Sequence, residues 1–168
     1  MARIGLFYGT TSGNTRKVAE LIRNQLGPQA VDLNDVAGAT ADDLRRYDAL
    51  IFGVSTWNSG ELQHDWESFA HELEGLNLSG KKVALFGLGD QVAYPHAFLD
   101  ALGTLYEHLR HRGADVIGRW PTDGYTFTES SAVVGGEFIG LALDEENQPD
   151  LTPQRVADWV SQIKDDLL

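Results

Sequence analysis

The segment Gly9-Thr10-Thr11-Ser12-Gly13-Asn14-Thr15 places the strongest constraint on the fold. It follows the apolar run Ile4-Gly5-Leu6-Phe7-Tyr8. It opens onto residues 14–26, where Val18, Leu21, Ile22 and Leu26 share one helical face. A strand, a tight turn rich in glycine and hydroxyls, and a helix start together make an anion cradle. The backbone N–H groups at the helix end and the positive pole of its dipole converge on one point. The hydroxyls of Thr10, Thr11, Ser12 and Thr15 add neutral donors. The loop carries no Lys or Arg, which separates it from the phosphate loop of nucleoside triphosphatases, and its spacing is not Gly-x-Gly-x-x-Gly. It suits the terminal phosphate of a small cofactor. The plainer alternative is a polar strand-to-helix turn with Thr or Ser as the cap.

Short apolar runs alternate with amphipathic stretches along the rest of the chain. The pattern predicts strands at 3–8, 30–33, 49–54 and 82–88, and a fifth beginning at 115–119. Helices are predicted at 14–26, 40–46, 66–76, 95–112 and from 152 to the C-terminus, the last with Thr152 as N-cap and Pro153 in the first turn. Five βα units predict a parallel sheet covered by helices on both faces, with ligands beyond the carboxyl ends of the strands. Residues 120–136 break the alternation and are followed by a further strand-like run at 137–143. They read as an insertion within the fifth strand. No repeat or second domain is evident, so one domain is expected over residues 1–168.

Composition excludes several functions. The chain has 168 residues, no cysteine and a formal net charge of −12. Thiolate chemistry, disulfides and cysteine-ligated clusters are absent, and a cytoplasmic location is expected. The acidic balance argues against nucleic-acid or anionic-membrane binding, and no apolar run is long enough to span a bilayer. Charge is also uneven. Between Tyr47 and Leu109 the basic residues are Lys81 and Lys82, against nine carboxylates that include Glu61, Asp65, Glu67 and Asp90. Such a window is either a solubilising surface or an acidic face for partners with basic patches.

Two further strand-end loops carry the chemistry. The third strand runs into Ser55-Thr56-Trp57-Asn58-Ser59-Gly60-Glu61-Leu62, and the fourth into Leu88-Gly89-Asp90-Gln91-Val92-Ala93-Tyr94. Trp57 and Tyr94, on neighbouring loops, can sandwich a flat ring, and the glycines let backbone amides approach its edge. A phosphate at one end and a planar ring between aromatics at the other describe FMN.

On these motifs, together with Thr122-Asp123-Gly124-Tyr125 and Gly140-Leu141-Ala142-Leu143-Asp144, the chain resembles the flavodoxin family in its long-chain form, over essentially its whole length. The resemblance implies an α/β fold, a flavodoxin-like doubly wound five-stranded parallel sheet with helices on both faces and an insertion in the fifth strand. It also implies a low-potential one-electron carrier holding FMN without a covalent bond. Thr10, Thr11, Ser12, Gly13, Asn14 and Thr15 would hold the phosphate, and Trp57 and Tyr94 would cover the ring. The backbone of Leu88, Gly89 and Asp90 would meet the pyrimidine edge. The Asn58–Ser59 peptide would respond to protonation at N5, with Thr56 and Gly60 completing that loop. Asn14 stands where some members have Lys, Ala93 where many have Gly, and Leu88 where some have a polar residue. The implied partners are redox proteins with basic patches, such as ferredoxin–NADP reductase, with nitrogenase reductase and photosystem I left open. The chain would act as a monomer, away from nucleic acid and membrane. The run from Val83 to Val92 is similar to flavodoxins of nitrogen fixers.

The rival reading is an FMN-dependent NAD(P)H:quinone reductase of the same fold. A Trp57/Tyr94 cover leaves little room for a second ring to stack and argues against it. A flavin-free receiver domain lacks its acidic pocket, because the first and third strands end in Phe7-Tyr8-Gly9 and Gly53-Val54-Ser55. His108 and His111 have helical spacing for a metal pair, but no third ligand is suggested. No nucleophile has a neighbouring base, so no catalytic residue and no metal site is expected.

Overall fold

The computed structural model describes residues 3–9, 13–57 and 61–168, without the side chains of Trp57 and Glu61. In chain order the elements are β1 (Ile4–Tyr8), α1 (Asn14–Leu26), β2 (Val31–Asp35), α2 (Ala41–Arg45), β3 (Ala49–Trp57), β4 (Glu61–Leu62), α3 (His64–Phe69) and β5 (Lys82–Leu88). They continue with α4 (Asp100–Arg110), β6 (Asp115–Ile117), β7 (Trp120–Pro121), β8 (Val133–Val134), β9 (Glu137–Phe138), β10 (Leu141–Leu143) and α5 (Thr152–Leu167). The parallel sheet runs β2-β1-β3-β5, with both β6 and β10 on the far side of β5. β6 pairs with Lys82–Ala84 and β10 with Phe86–Leu88, so the fifth strand is one strand in two pieces. Residues 118–140 lie between those pieces and contain the small antiparallel sheet β7-β9-β8.

Strand alternation builds two cores. Ile4, Leu6, Ile51, Ala84 and Phe86 face α1 and α5, whereas Phe7, Leu50, Phe52, Val54, Val83 and Leu85 face α3 and α4. Helix α1 buries Val18, Ile22 and Leu26 as its sequence period predicts, with Ala19 beside them and the expected Leu21 only partly buried, and ends at Gly27 with φ 115°. In α5, Val156, Trp159, Val160 and Ile163 are buried, and the Trp159 indole donates to the Gly118 carbonyl at 2.9 Å. That bond ties the helix to the point where the insertion leaves the sheet.

Three expectations need correction. The helix expected at 95–112 begins at Asp100. Leu99 adopts φ 59°, and the Pro95 carbonyl accepts from the N–H groups of Thr128 (2.7 Å) and Glu129 (3.0 Å). The insertion thus captures the acceptor that a continuous helix would have used. The helix expected at 66–76 is α3 followed by a 3₁₀ turn at Ala70–Leu73. Thr152 is not an N-cap. A 3₁₀ turn at Pro149–Leu151 leads straight into α5, and the buried Thr152 hydroxyl finds no partner among the described residues.

The insertion is held by aromatics. Phe98, Tyr125, Phe127 and Phe138 form a cluster with ring centroids 5.2–5.9 Å apart. The Tyr125 hydroxyl donates to the Ala142 carbonyl at 2.5 Å and accepts from the Trp120 indole at 2.9 Å. Burial pushes the Tyr125 phenol up from 10.0 to about 12, against the opposing pull of Arg155 and Trp120. Because the folded state then holds its proton more tightly than the unfolded chain, this contribution is complete below pH 10. It is lost as pH rises from 10 to about 12. Across that window the loss should be on the order of 2 kcal/mol. Tyr125→Phe should be about 1 kcal/mol less stable at neutral pH but show a flatter alkaline limb. Urea unfolding at pH 8, 10 and 11.5 checks this, and parallel limbs for the two proteins would contradict it.

Candidate functional site

The carboxyl ends of β1, β3, β5 and β10 meet at one edge of the sheet, on either side of the point where strand order reverses. A cleft of about 280 Å³ opens there. It is at the small end of the ~300–1,000 Å³ typical of small-molecule sites. Asn14, Thr15, Thr56, Leu88, Gly89, Asp90 and Tyr94, all expected at the site, line it. Thr10, Thr11, Ser12, Asn58, Ser59 and Gly60 lie outside the described residues, as does the Trp57 side chain.

The first wall is the start of α1. Gly13 caps the helix at φ 92°, a conformation that L side chains rarely adopt, although no atom of the described residues lies within 4 Å of the position a Cβ would take. The first intrahelical bond runs from Lys17 N–H to the Gly13 carbonyl at 3.1 Å. The N–H groups of Asn14, Thr15 and Arg16 therefore have no acceptor within the helix. The first turn carries no acidic side chain, so nothing there opposes an incoming anion. Gly9, at the end of β1, fits beneath α3: an added Cβ would lie 2.3 Å from the Gln63 carboxamide oxygen and 2.8 Å from the Trp66 ring. Gln63 accepts from the N–H groups of Asp65 and Trp66 and so caps α3, and the Trp66 indole donates to the Gly53 carbonyl at 2.6 Å. The base of the anion loop is thus packed against the element that follows the 50s loop.

The second wall is the end of β3. The Thr56 hydroxyl accepts from the Ala101 N–H at 3.2 Å, which fixes it to the first turn of α4. The third wall is the 88–94 loop. Asp90 shapes it: its carboxylate accepts from the N–H groups of Val92 (3.1 Å) and Ala93 (2.8 Å) and from the Asn147 carboxamide (2.7 Å). Burial alone would raise the Asp90 carboxyl, but these donors outweigh it and hold the group below the usual carboxylate range. The Tyr94 ring is 41% exposed at the rim, beside Val92 at 66%.

Sequence reasoning missed Ser55, Glu145 and Glu146 as lining residues. The available signal was position, since both glutamates directly follow the last strand of the sheet, where ligand loops are expected. With Asp90 they put three carboxylates in the cleft lining. Among the described residues, no three His, Asp or Glu side chains group as a metal site. His111 instead sits 3.7 Å from Glu107.

A helix start suited to phosphate, joined through a cleft to an exposed tyrosine and glycine-bearing backbone, fits a phosphorylated planar cofactor. Comparison with known proteins points the same way. The sequence model of the family described as Flavodoxin matches residues 6–159. The chain is 54% identical over 165 residues to a flavodoxin of Synechococcus elongatus, covering 98% of this chain and 97% of the relative. It is 46% identical over 168 residues to flavodoxin 1 of Escherichia coli, covering 99% and 96%. The crystal structure of Fusobacterium nucleatum flavodoxin bound to flavin mononucleotide superposes with a TM-score of 0.94 at 36% identity, covering all of both chains.

Proposed function

Because the chain belongs to the flavodoxin family, we propose that it carries single electrons between larger redox proteins on one non-covalently bound FMN. The observation that carries this reading is the cleft itself, with a helix start free of acidic residues at one end and Tyr94 with the Leu88–Asp90 backbone at the other. When bound, FMN supplies the one-electron chemistry. The protein's part is to hold and tune it. The N–H groups at the start of α1, with Thr10, Thr11 and Ser12 before them, receive the phosphate. Tyr94 covers one ring face and Trp57 the other. Glu145, Glu146 and Asp90 disfavour added negative charge and so lower the potential of the second electron. A unit charge ~12 Å from a redox centre at an effective dielectric of ~40 contributes about 0.7 kcal/mol, or ~30 mV. Several carboxylates together therefore matter. The purified protein should release one FMN per chain on denaturation. Release of FAD, or of no flavin from fully folded protein, would overturn the proposal.

Flavodoxins named as such match this chain along nearly its full length, which disfavours the quinone-reductase alternative. Tyr94→Ala should weaken FMN binding by about 1–3 kcal/mol, because it strips aromatic area from a flat ligand. Fluorescence titration of apoprotein measures this, and an unchanged Kd would remove Tyr94 from the site.

The partners we infer are redox proteins with basic patches, docking at the acidic side of the cleft. The chain works as a monomer, and its cysteine-free composition supports the cytoplasm as its compartment. No described helix is long and apolar enough to cross a membrane. Reversing Glu61, Asp65 and Glu67 to Lys should slow electron transfer from a basic reductase at 0.1 M salt, where the Debye length is about 10 Å. The effect should fade at 1 M, where it is about 3 Å. Reversing the two carboxylates Asp165 and Asp166, at the far end of α5, is the control and should have the smaller effect per charge reversed. Stopped-flow rates that respond alike to both sets of reversals would reduce the acidic window to a solubilising surface.

A further inference from the structure

We propose that Gln91, which does not line the cleft, is a positioning residue for the flavin ring. Its buried carboxamide fixes the 88–94 loop to the end of the fifth strand and to the insertion. In doing so it sets where the loop backbone meets the ring edge. The inference rests on the FMN reading above.

Gln91 is 2% exposed and uses its whole hydrogen-bonding capacity. Its amide nitrogen Nε2 donates to Asp144 Oδ2 at 2.8 Å and to Gln148 Oε1 at 3.0 Å. Its Oε1 accepts from the Thr126 N–H at 2.5 Å and from the Thr126 hydroxyl at 3.4 Å. Its own backbone N–H donates to Asp144 Oδ2 at 3.1 Å. One side chain thus joins three segments that are 35 to 57 residues apart.

Asp144 extends the clamp on the other side. It is fully buried and accepts from Glu146 N–H at 3.1 Å, Asn147 N–H at 3.0 Å and the Asn147 carboxamide at 2.9 Å. That carboxamide also reaches Asp90. Asp90 on one loop and Glu146 on the next, both lining the cleft, are therefore tied to Gln91, Asp144 and Asn147, which lie behind it. Gly89 is itself held by its N–H bond to the Leu143 carbonyl at 3.0 Å. Beyond it, a shift of a fraction of an ångström would change backbone contacts to a rigid planar ligand, and the network limits that shift. It also gives the insertion a task at the site, because Thr126 holds one side of the carboxamide.

Positioning is distinguished from mere structural support by which part of the ligand responds. Gln91→Glu keeps the shape but sets a carboxylate against Asp144. Gln148→Met leaves Gln91 itself in place, removes the partner of one of its donors together with the Gln148 bonds to Arg155 and the Gly124 carbonyl, and is the milder variant because Gln148 sits at the half-buried margin. Each is compared with the wild-type protein as apoprotein and FMN-loaded. The readouts are Kd for FMN, Kd for riboflavin, the visible circular dichroism of the bound flavin and its midpoint potentials. Riboflavin lacks the phosphate, so a displaced ring-edge loop should weaken both ligands by the same factor. That factor should be about tenfold for Gln91→Glu and smaller for Gln148→Met, with altered visible dichroism and shifted potentials. A lower melting temperature with unchanged riboflavin affinity, dichroism and potentials would make Gln91 merely structural and overturn the proposal. So would a loss of FMN affinity not matched by riboflavin, since the effect would then run through the phosphate loop. Failure of the wild-type protein to bind any flavin would instead overturn the functional reading.

Discussion

Asp144→Ala is expected to cost about 3 kcal/mol of folding stability. The Asp144 carboxylate is fully buried, and no ion pair to it occurs among the described residues. Its charge is met by the N–H and carboxamide of Gln91, the N–H of Glu146, and the N–H and carboxamide of Asn147. Alanine leaves the buried Gln91 N–H without its acceptor, along with the N–H groups of the exposed Glu146 and Asn147. An unmet buried donor costs about 1–3 kcal/mol, far more than the hydrogen bond adds when made. Urea unfolding of the apoprotein at pH 7 measures the effect. A loss below about 1 kcal/mol would mean that water or a shifted loop replaces the carboxylate readily.

Gly140→Ala should be comparably damaging, for a steric reason. A Cβ at Gly140 would lie 2.3 Å from the Leu85 carbonyl oxygen and 2.8 Å from its carbon. Both belong to the backbone of β5, whose hydrogen bonds to β3 and β10 forbid retreat. Overpacking against flexible side chains costs about 1–3 kcal/mol, and a backbone clash at the join of the fifth strand should reach or exceed the top of that range. Gly136→Ala is the control. Nothing lies within 4 Å of a Cβ there, and the penalty comes from its φ of 83°. That alone should cost about 1 kcal/mol. Thermal unfolding that ranks the two variants equally would refute the steric argument.

Where the sequence pattern was local and periodic, it could be read to the residue. Helix α1 and strand β5 have the boundaries expected from their apolar spacing, Gly27 and the run at 82–88. The insertion was legible because residues 120–136 break an otherwise regular alternation. Errors arose where distant groups compete for backbone. The start of α4 moved to Asp100 because the Thr128 and Glu129 N–H groups take the Pro95 carbonyl, across more than thirty residues. The cleft-lining Tyr94 loop was visible in outline, because glycine and aromatic residues are unusual at strand ends; residues 10–12 of the expected anion loop lie outside the described residues. Glu145 and Glu146 were not, since two acids after a strand look like ordinary surface charge until the fold sets them beside Asp90. The Gln91–Asp144 contact joins residues 53 apart and carries no local pattern.

The central claim is that this protein carries electrons one at a time on FMN. A potentiometric reductive titration of the FMN-loaded protein, followed by visible absorbance, tests it most directly. Two separate one-electron steps are expected, the second at markedly lower potential, because Glu145, Glu146 and Asp90 border the cleft with negative charge. A single two-electron step would contradict it.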